Sequence, residues 1–181
     1  MENVAQLLEN LLAWTSPQIR REQLELENFD IHKILIQQKQ LLDRISKEKN
    51  INIALKDDHR VSTVNGDKNM IELVTRNLIN NAIKFSKADG VINISTLLKE
   101  GFIKICFEDY GKGIPKENLE KINSGVSFIT KGANIGSGTG LGLVLVREYI
   151  SKNSGRLEVI SSENHGTKFC IYIPKGIKKS V

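Results

Sequence analysis

Three polar side chains along one predicted helix could bind a metal ion and phosphate groups. In the stretch TRNLINNAIKFS, Asn77, Asn81 and Lys84 stand at positions i, i+4 and i+7, so a helix brings them to one face, with Phe85 at its edge. Asparagine lowers helix propensity by up to ~0.7 kcal/mol relative to alanine. Carboxamide oxygens suit the shell of Mg²⁺, and lysine offsets phosphate charge. A solvated polar face is the alternative for this helix taken alone.

A carboxylate ends a predicted strand in the stretch FIKICFEDYGKGIP. Strand alternation places Asp109 on the same face as three apolar residues, so its side chain points toward the core layer. A buried carboxylate needs hydrogen-bond donors, and an ionised one only accepts, so it suits an amine such as that of adenine. Gly111 and Gly113 permit a sharp turn and close approach of a ligand. The alternative is that Asp109 simply caps the turn.

A threonine in the last predicted strand, HGTKFCIYIP, could reach the same ligand. The same alternation puts Thr167 at the mouth of the core, where it could hydrogen-bond the ligand directly or through water. A threonine that merely starts a strand is the alternative.

A glycine-rich stretch runs directly into an apolar helix in NIGSGTGLGLVLVREYI. Gly136, Gly138, Gly140 and Gly142 alternate before the helix begins. Backbone N–H groups at a helix start point outward with the positive end of the dipole and favour phosphate. The stretch is neither a Walker A loop nor a dinucleotide-binding fingerprint, because its spacing and following residues differ. A flexible linker would not lead into so apolar a helix.

Helices and strands that would position these residues alternate along the chain. Asp30 and Asp67 are typical N-caps and predict helices over about 31–49 and 68–85, with shorter helices over 116–122 and 141–153. Strands are predicted at 51–55, 62–66, 91–97, 102–110, 156–161 and 167–174, and residues 24–29 are predicted to be extended. Paired strands with intervening helices predict a two-layer α/β sandwich with helices over one sheet face.

Composition narrows the classes of function. The chain has 181 residues, 40% of them hydrophobic, which suits one ordinary domain and a smaller segment. Its formal net charge of +5 suits a phosphate-bearing ligand or an acidic partner, although ordinary surface charge explains it equally well. Nucleic-acid binding is not expected, because no basic run is interleaved with aromatic residues. No stretch approaches the ~18 apolar residues of a membrane span, and the first residues do not resemble a signal peptide.

Both cysteines lie in strand-like runs. Cys106 belongs to KICFE and Cys170 to KFCIYI, and neither is part of a CxxC pair. The sequence predicts buried reduced thiols of a cytosolic protein, with no metal or redox site.

Taken in order, the motifs resemble those of the ATP-binding domain of sensor histidine kinases, whose nucleotide fold is shared with gyrase, Hsp90 and MutL. NLINNAIKFS resembles the N box, DYGKGIP the first glycine box, GTGLGL the second glycine box, and GTKFCIYIP the closing strand. The resemblance covers residues 25 to 175, roughly. It implies a Bergerat fold of the α/β (α+β) class, in which helices cover one face of a mixed, mostly antiparallel sheet, preceded here by an N-terminal helix.

The resemblance also implies ATP and Mg²⁺ as ligands and a role for each site residue. Asn81 would bind the metal, Asn77 and Lys84 would hold phosphates, Phe85 would lie against the adenine, and Asp109 would accept from its amine. The full set of nucleotide-binding residues implied is Asn77, Asn81, Lys84, Phe85, Asp109, Gly111, Gly113, Ile114, Phe128, Lys131, Gly138, Thr139, Gly140, Leu141, Gly142 and Thr167.

A lid over the nucleotide is implied for residues 123–135. In it, SFITKG resembles the family's F box, with Phe128 as anchor and Lys131 as a phosphate contact. The lid has one phenylalanine where the commoner pattern is F-x-x-F.

The first residues predict a separate helix that ends near Pro17. Its apolar stripe, which includes Val4, Leu8 and Leu11, must pack on the main domain or on a second copy of the chain, because so short a helix is marginal alone. By resemblance, residues 1–22 are a remnant of the second helix of a dimerisation and phosphoacceptor hairpin, and residues 23–181 form the catalytic domain. A homodimer through the N-terminal helix is compatible with this interpretation.

No histidine of the chain fits the family's phosphoacceptor, which is followed by an acidic residue. Lys33 follows His32, Arg60 follows His59, and a glycine follows His165, so all three are interpreted as surface or structural residues. The phosphoryl group of ATP would therefore pass to a histidine on a hairpin absent from this chain, then to the receiver domain of a response regulator. No catalytic residue is assigned within the chain.

Three other functions are compatible with these motifs, and one of them, a serine-directed kinase of the anti-sigma type, is disfavoured by the leading helix. An ATPase of the gyrase or Hsp90 type would use a glutamate where this chain has Asn77, which cannot act as a general base. A non-catalytic nucleotide-binding adaptor would be expected to have lost Asn81, Asp109 or the glycines, and all are present. The histidine kinase resemblance also implies a cytoplasmic location, without membrane contact by this part, even within a membrane-anchored sensor.

Overall fold

A computed structural model describes residues 24–56, 62–124 and 141–177. Its elements in chain order are β1 (Leu26–Asp30), α1 (Ile31–Glu48), β2 (Asn52–Lys56), β3 (Thr63–Asp67), α2 (Lys68–Phe85), β4 (Val91–Lys99), β5 (Phe102–Asp109), α3 (Lys116–Asn123), α4 (Leu141–Lys152), β6 (Arg156–Ser162) and β7 (Gly166–Pro174). Each of these helices and strands lies within about two residues of its predicted position. The predicted N-terminal helix and most of the predicted lid lie outside the described residues.

Five strands form the main sheet in the order β2-β4-β5-β7-β6. Only β2 and β4 run parallel, and the other neighbours are antiparallel. β1 and β3 form a separate antiparallel pair. The mixed, mostly antiparallel sheet that the resemblance implies is therefore confirmed.

One face of the main sheet carries the core. On β5, Ile103, Ile105 and Phe107 are at most 1% exposed, and they alternate with residues that face the other side. On α2 the apolar stripe that packs over them includes Leu78 and Ile79, both fully buried. The helices thus cover one face, and polar residues of α2 lie at the edge of the buried layer.

Side-chain caps fix where the two long helices begin. The Asp30 carboxylate accepts from the backbone N–H of His32, and the Asp67 carboxylate accepts from that of Met70. Such caps satisfy amides that the first turn of a helix leaves unpaired. The sequence predicted both caps, and α2 spans Lys68–Phe85 as expected.

Asn153 ties the end of α4 to the start of α2. It is 1% exposed, its Oδ1 accepts from the backbone N–H of Asp67 at 2.6 Å, and its Nδ2 donates to the Tyr149 carbonyl at 2.7 Å. A buried amide with both ends paired holds its neighbours in one arrangement. The two helices that frame the candidate site are therefore linked at a point away from it.

The sequence-based prediction of reduced thiols is wrong. Cys106 and Cys170 face each other across β5 and β7 and form a disulfide between Cα atoms 4.1 Å apart. The bond lies on the sheet face opposite the helices and packs with Tyr172 and Phe102. The register of the two strands, which places the cysteines side by side, is the physical reason for the difference.

Candidate functional site

Asp109 and Thr167 lie side by side at the ends of neighbouring strands. Asp109 is the last residue of β5, Thr167 is the second residue of β7, and the two are register partners. They are 3% and 6% exposed, and both point to the helix-covered face, as strand alternation predicted. The structure therefore brings together the two residues expected to contact one ligand.

Burial raises the pKa of Asp109 above its ordinary value. Hydrogen bonds from the backbone N–H groups of Gly111 and Thr167 act in the opposite direction, and the nearby charge of Glu108 adds a small increase. The Gly111 amide lies 2.9 Å from Asp109 Oδ1. Because burial disfavours the charged form of this carboxylate, a ligand that donates hydrogen bonds to it would stabilise that form.

Ser161 links Thr167 to the loop that follows β5, and it is not among the site residues predicted from the sequence. Its Oγ lies 2.9 Å from Thr167 Oγ1, 2.8 Å from the carbonyl oxygen of Gly166 and 2.9 Å from the backbone nitrogen of Ile114. Strand alternation is the sequence signal that could have found Ser161, because it lies two residues after the buried Val159 and therefore on the same face of β6.

The loop after β5 is anchored against the turn between β6 and β7. Gly113 has φ +66°, and a Cβ built there would lie 2.0 Å from the carbonyl oxygen of Ser162. The backbone N–H of Asn164 donates to the carbonyl of Lys112 at 2.7 Å. The second glycine of DYGKG is therefore required by both its backbone conformation and its surroundings.

The polar face of α2 carries Asn77, Asn81 and Lys84, all half-buried. Asn77 Nδ2 donates to the Leu73 carbonyl at 2.9 Å. A Cβ built on Gly142 would lie 2.8 Å from Asn77 Oδ1, so the first turn of α4 closely approaches this side chain. The predicted asparagine face and the predicted glycine-to-helix junction thus meet in space.

Phe85 lies where α2 ends and contacts the loop that follows Asp109. The Nζ atoms of Lys84 and Lys112 lie 5.5 Å and 4.9 Å from its ring centre, within cation–π distance. The backbone N–H of Lys112 donates to the Phe85 carbonyl at 3.4 Å. Sequence reasoning did not single out Lys112, which adds a second cation on this side of the site.

The remaining predicted site residues are only partly described. α4 begins at Leu141, as expected, and the first-turn amides of a helix have no partner within the helix. Phe128, Lys131, Gly138, Thr139 and Gly140 lie outside the described residues.

The carboxamide oxygen of Asn81 suits a hard cation such as Mg²⁺ that takes most of its ligands from a bound phosphate compound and water. Mg²⁺ prefers oxygen atoms and commonly takes one or two from the protein, with phosphates and waters completing its shell. Among the described residues, no cluster of three or more His, Cys, Asp or Glu side chains could form a protein-only metal site. Asn81 lies one helical turn beyond Asn77, whose Oδ1 the first turn of α4 approaches, so its carboxamide oxygen fits a metal that arrives with a phosphate ligand.

The two described histidines occupy positions without evident chemistry. His32 lies in the first turn of α1, and His165 is exposed in the turn before β7, where its Nδ1 lies 2.8 Å from the Glu163 carbonyl oxygen. His59 lies outside the described residues.

Comparison with known proteins gives one consistent result. The family model for histidine kinase-, DNA gyrase B- and HSP90-like ATPases matches residues 66–177. The alginate biosynthesis sensor protein KinB of Pseudomonas aeruginosa is 29% identical over 174 residues, which is 96% of this chain and 29% of that protein. Sporulation kinase A of Bacillus subtilis (strain 168) is 29% identical over 175 residues, which is 97% of this chain and 28% of that protein. The chain spans between 19% and 34% of the length of the curated relatives compared with it.

A solved structure shows the same fold. The nucleotide-free catalytic domain of histidine kinase ThkA matches with a TM-score of 0.72 and 27% identity, over 83% of this chain and 96% of that one. Within the described part of this chain, no helix is both long enough and apolar enough to cross a membrane.

Proposed function

This chain belongs to the family of histidine kinase-, DNA gyrase B- and HSP90-like ATPases, and from that premise we propose that it is the ATP-binding catalytic domain of a two-component sensor histidine kinase. The relatives that it matches over most of its length carry the names of sensor proteins and kinases. In this proposal the domain binds Mg-ATP and delivers the γ-phosphoryl group to a histidine of a separate hairpin, in the cytoplasm.

The observation that carries the proposal is the buried pair of Asp109 and Thr167. A carboxylate that is 3% exposed and, among the described residues, accepts from backbone N–H groups alone offers its remaining lone pairs to a ligand donor. The exocyclic amine of adenine supplies such a donor. Gly111, Gly113 and Ile114 would form the wall beside the base, and the Phe85 ring would lie against it.

The phosphate end is proposed to lie between α2 and α4. Lys84 would offset phosphate charge, and the outward N–H groups at the start of α4 would bind phosphate oxygens, with Leu141 and Gly142 in its first turn. Asn81 would hold Mg²⁺, which when bound would neutralise phosphate charge and orient the terminal phosphate. Phe128, Lys131, Gly138, Thr139 and Gly140 would complete the phosphate end and the lid.

The amide of Asn77 favours transfer to a protein over hydrolysis. A carboxamide does not accept a proton from water at neutral pH, so it cannot serve as the general base that an ATPase of this family would need at that position. Asn77 also already donates to the Leu73 carbonyl and faces Gly142. We therefore assign Asn77 to positioning of phosphate and rank ATP hydrolysis second.

The acceptor in this proposal is a histidine that this chain lacks. His165 is engaged by the Glu163 carbonyl, and His32 lies in the first turn of α1. Residues 1–22 are proposed to be the end of the hairpin's second helix, which could also pair two copies of the chain. The phosphorylated hairpin would pass its phosphoryl group to the receiver domain of a response regulator.

Calorimetric titration with ADP and ATP, with and without Mg²⁺, tests the binding part of the proposal. Micromolar to millimolar binding that strengthens with Mg²⁺ supports it, and the absence of heat with millimolar ADP from a folded sample refutes it.

The transfer part is tested with ATP labelled at the γ-phosphate and a histidine-bearing hairpin supplied separately. Label should appear on the hairpin alone. Label on this chain, or rapid release of free phosphate without transfer, would refute the assigned reaction.

A further inference from the structure

We infer that Ser161 is a specificity-determining residue that forces the Thr167 hydroxyl to act as a hydrogen-bond acceptor toward the ligand, so that the site selects a 6-amino purine over a 6-oxo purine. The inference rests on the proposed nucleotide function of the Asp109 and Thr167 pair. It concerns how strongly the base is selected, because a Thr167 hydroxyl held as an acceptor adds to the preference that the Asp109 carboxylate already imposes.

The three contacts of Ser161 fix the direction of each hydrogen bond. A serine hydroxyl has one hydrogen to donate and two lone pairs that accept. The Gly166 carbonyl, 2.8 Å away, can only accept, so the Ser161 hydrogen is directed to it. The Ile114 backbone N–H, 2.9 Å away, can only donate and occupies one lone pair of Ser161.

The remaining lone pair of Ser161 determines the state of Thr167. Thr167 Oγ1 lies 2.9 Å from Ser161 Oγ, and with the serine hydrogen already used, the threonine must be the donor in this contact. The Thr167 hydroxyl hydrogen therefore points to Ser161, and the lone pairs of the Thr167 oxygen remain to accept a hydrogen bond from a ligand. Beside it, the Asp109 carboxylate also only accepts when ionised.

Two acceptors side by side match a ligand group that has two N–H bonds. The 6-amino group of adenine is such a group, whereas hypoxanthine and guanine carry a carbonyl oxygen there. An oxygen facing two acceptors leaves polar groups unpaired in a buried site, and sites of this kind discriminate strongly. Without Ser161, the Thr167 hydroxyl could rotate and donate to a 6-oxo group, so the preference should weaken.

The test compares ADP with inosine diphosphate, which has a 6-oxo group in place of the 6-amino group. Calorimetry with Mg²⁺ gives the ratio of their affinities for the wild-type chain and for Ser161→Ala, Ser161→Thr and Ser162→Ala. Ser161→Ala should lower the ratio by about three- to tenfold, the equivalent of one hydrogen bond. Ser161→Thr keeps a hydroxyl and should retain the ratio, as should Ser162→Ala, which alters the exposed neighbouring serine.

A double-mutant cycle separates this role from a general effect on the fold. Thr167→Val removes the hydroxyl through which Ser161 is proposed to act, so adding Ser161→Ala to it should leave the ratio unchanged. The inference is overturned if Ser161→Ala weakens both nucleotides equally, if its effect on the ratio persists beside Thr167→Val, or if the wild-type chain binds both nucleotides alike. That last result would leave the proposed function standing, whereas a wild-type chain that binds neither nucleotide would refute both.

Discussion

Replacing Asp109 with asparagine should weaken nucleotide binding without lowering the stability of the ligand-free domain. The carboxylate is 3% exposed and receives the Gly111 N–H at 2.9 Å. An asparagine oxygen has two lone pairs and can accept from the backbone N–H groups of Gly111 and Thr167, and the amide nitrogen then takes the place of the second carboxylate oxygen. A donor would then face the amine of the base, where the wild-type chain offers an acceptor.

The structure supports a sizeable loss of affinity. A hydrogen bond to a charged group contributes about 1.5–3 kcal/mol, and a donor facing a donor adds to the loss. We therefore expect Asp109→Asn to weaken ADP binding by about 2–3 kcal/mol, which is about 30- to 150-fold in Kd. The ligand-free variant should be more stable than the wild-type chain near neutral pH, because burial raises the pKa of Asp109 and so makes its charged form unfavourable in the fold.

The assay pairs calorimetric titration with ADP and thermal unfolding with and without it. Glu108→Gln is the matched control, since it changes the neighbouring carboxylate on the opposite sheet face, where Lys168 lies 3.5 Å away. This control should bind ADP within about threefold of the wild-type chain, the range expected of a partly exposed ion pair. The reasoning fails if Asp109→Asn binds ADP as tightly as the wild-type chain, or if Glu108→Gln weakens binding as much.

Three further predictions follow from the same structure. Gly113→Ala should lower stability by about 1–3 kcal/mol and weaken ADP binding, because its positive φ and the nearby carbonyl both oppose a side chain; Gly101→Ala, with positive φ and open space, should cost less in urea unfolding and spare binding. Because its pKa is raised in the fold, Asp109 stabilises the ligand-free domain below the ordinary aspartate pKa and loses that contribution as pH rises through the raised value, so urea midpoints of the wild-type chain should fall relative to Asp109→Asn across this range. Reduction of the Cys106–Cys170 bond, which closes a separation of 64 residues, should lower the free energy of unfolding by about 2–4 kcal/mol; unchanged midpoints with reductant, or two thiols titrated in the untreated protein, would contradict this prediction.

Local patterns predicted the elements and part of the site because their causes are local. Asp67 at a helix start, followed by an apolar stripe, was enough to place α2, and strand parity was enough to turn Asp109 and Thr167 toward the core. The meeting of Asn77 with Gly142 joins residues far apart in sequence, and only the resemblance to a known family placed them at one ligand.

Other features depend on contacts that residue types do not reveal. Ser161 and Ser162 are alike in sequence, and only the pairing of β6 with β7 places the first beside Thr167. The two cysteines showed no spacing typical of a pair, because a cross-strand bond depends on register and not on sequence distance. The sequence carries no signal for Lys112, because a lysine in a turn is ordinarily a surface residue.

The shared register of β5 and β7 restricts how this chain can vary over evolution. Asp109 and Thr167 lie opposite each other because β5 and β7 pair residue for residue, without a bulge, from Phe102 and Pro174 to these two residues. One inserted or deleted residue within either strand would turn one of the two toward the opposite face, a change that no substitution nearby could compensate. Length changes in these two strands should therefore be eliminated by selection, whereas a change of length in the turn between β4 and β5, at the far end of β5, would leave this register unchanged.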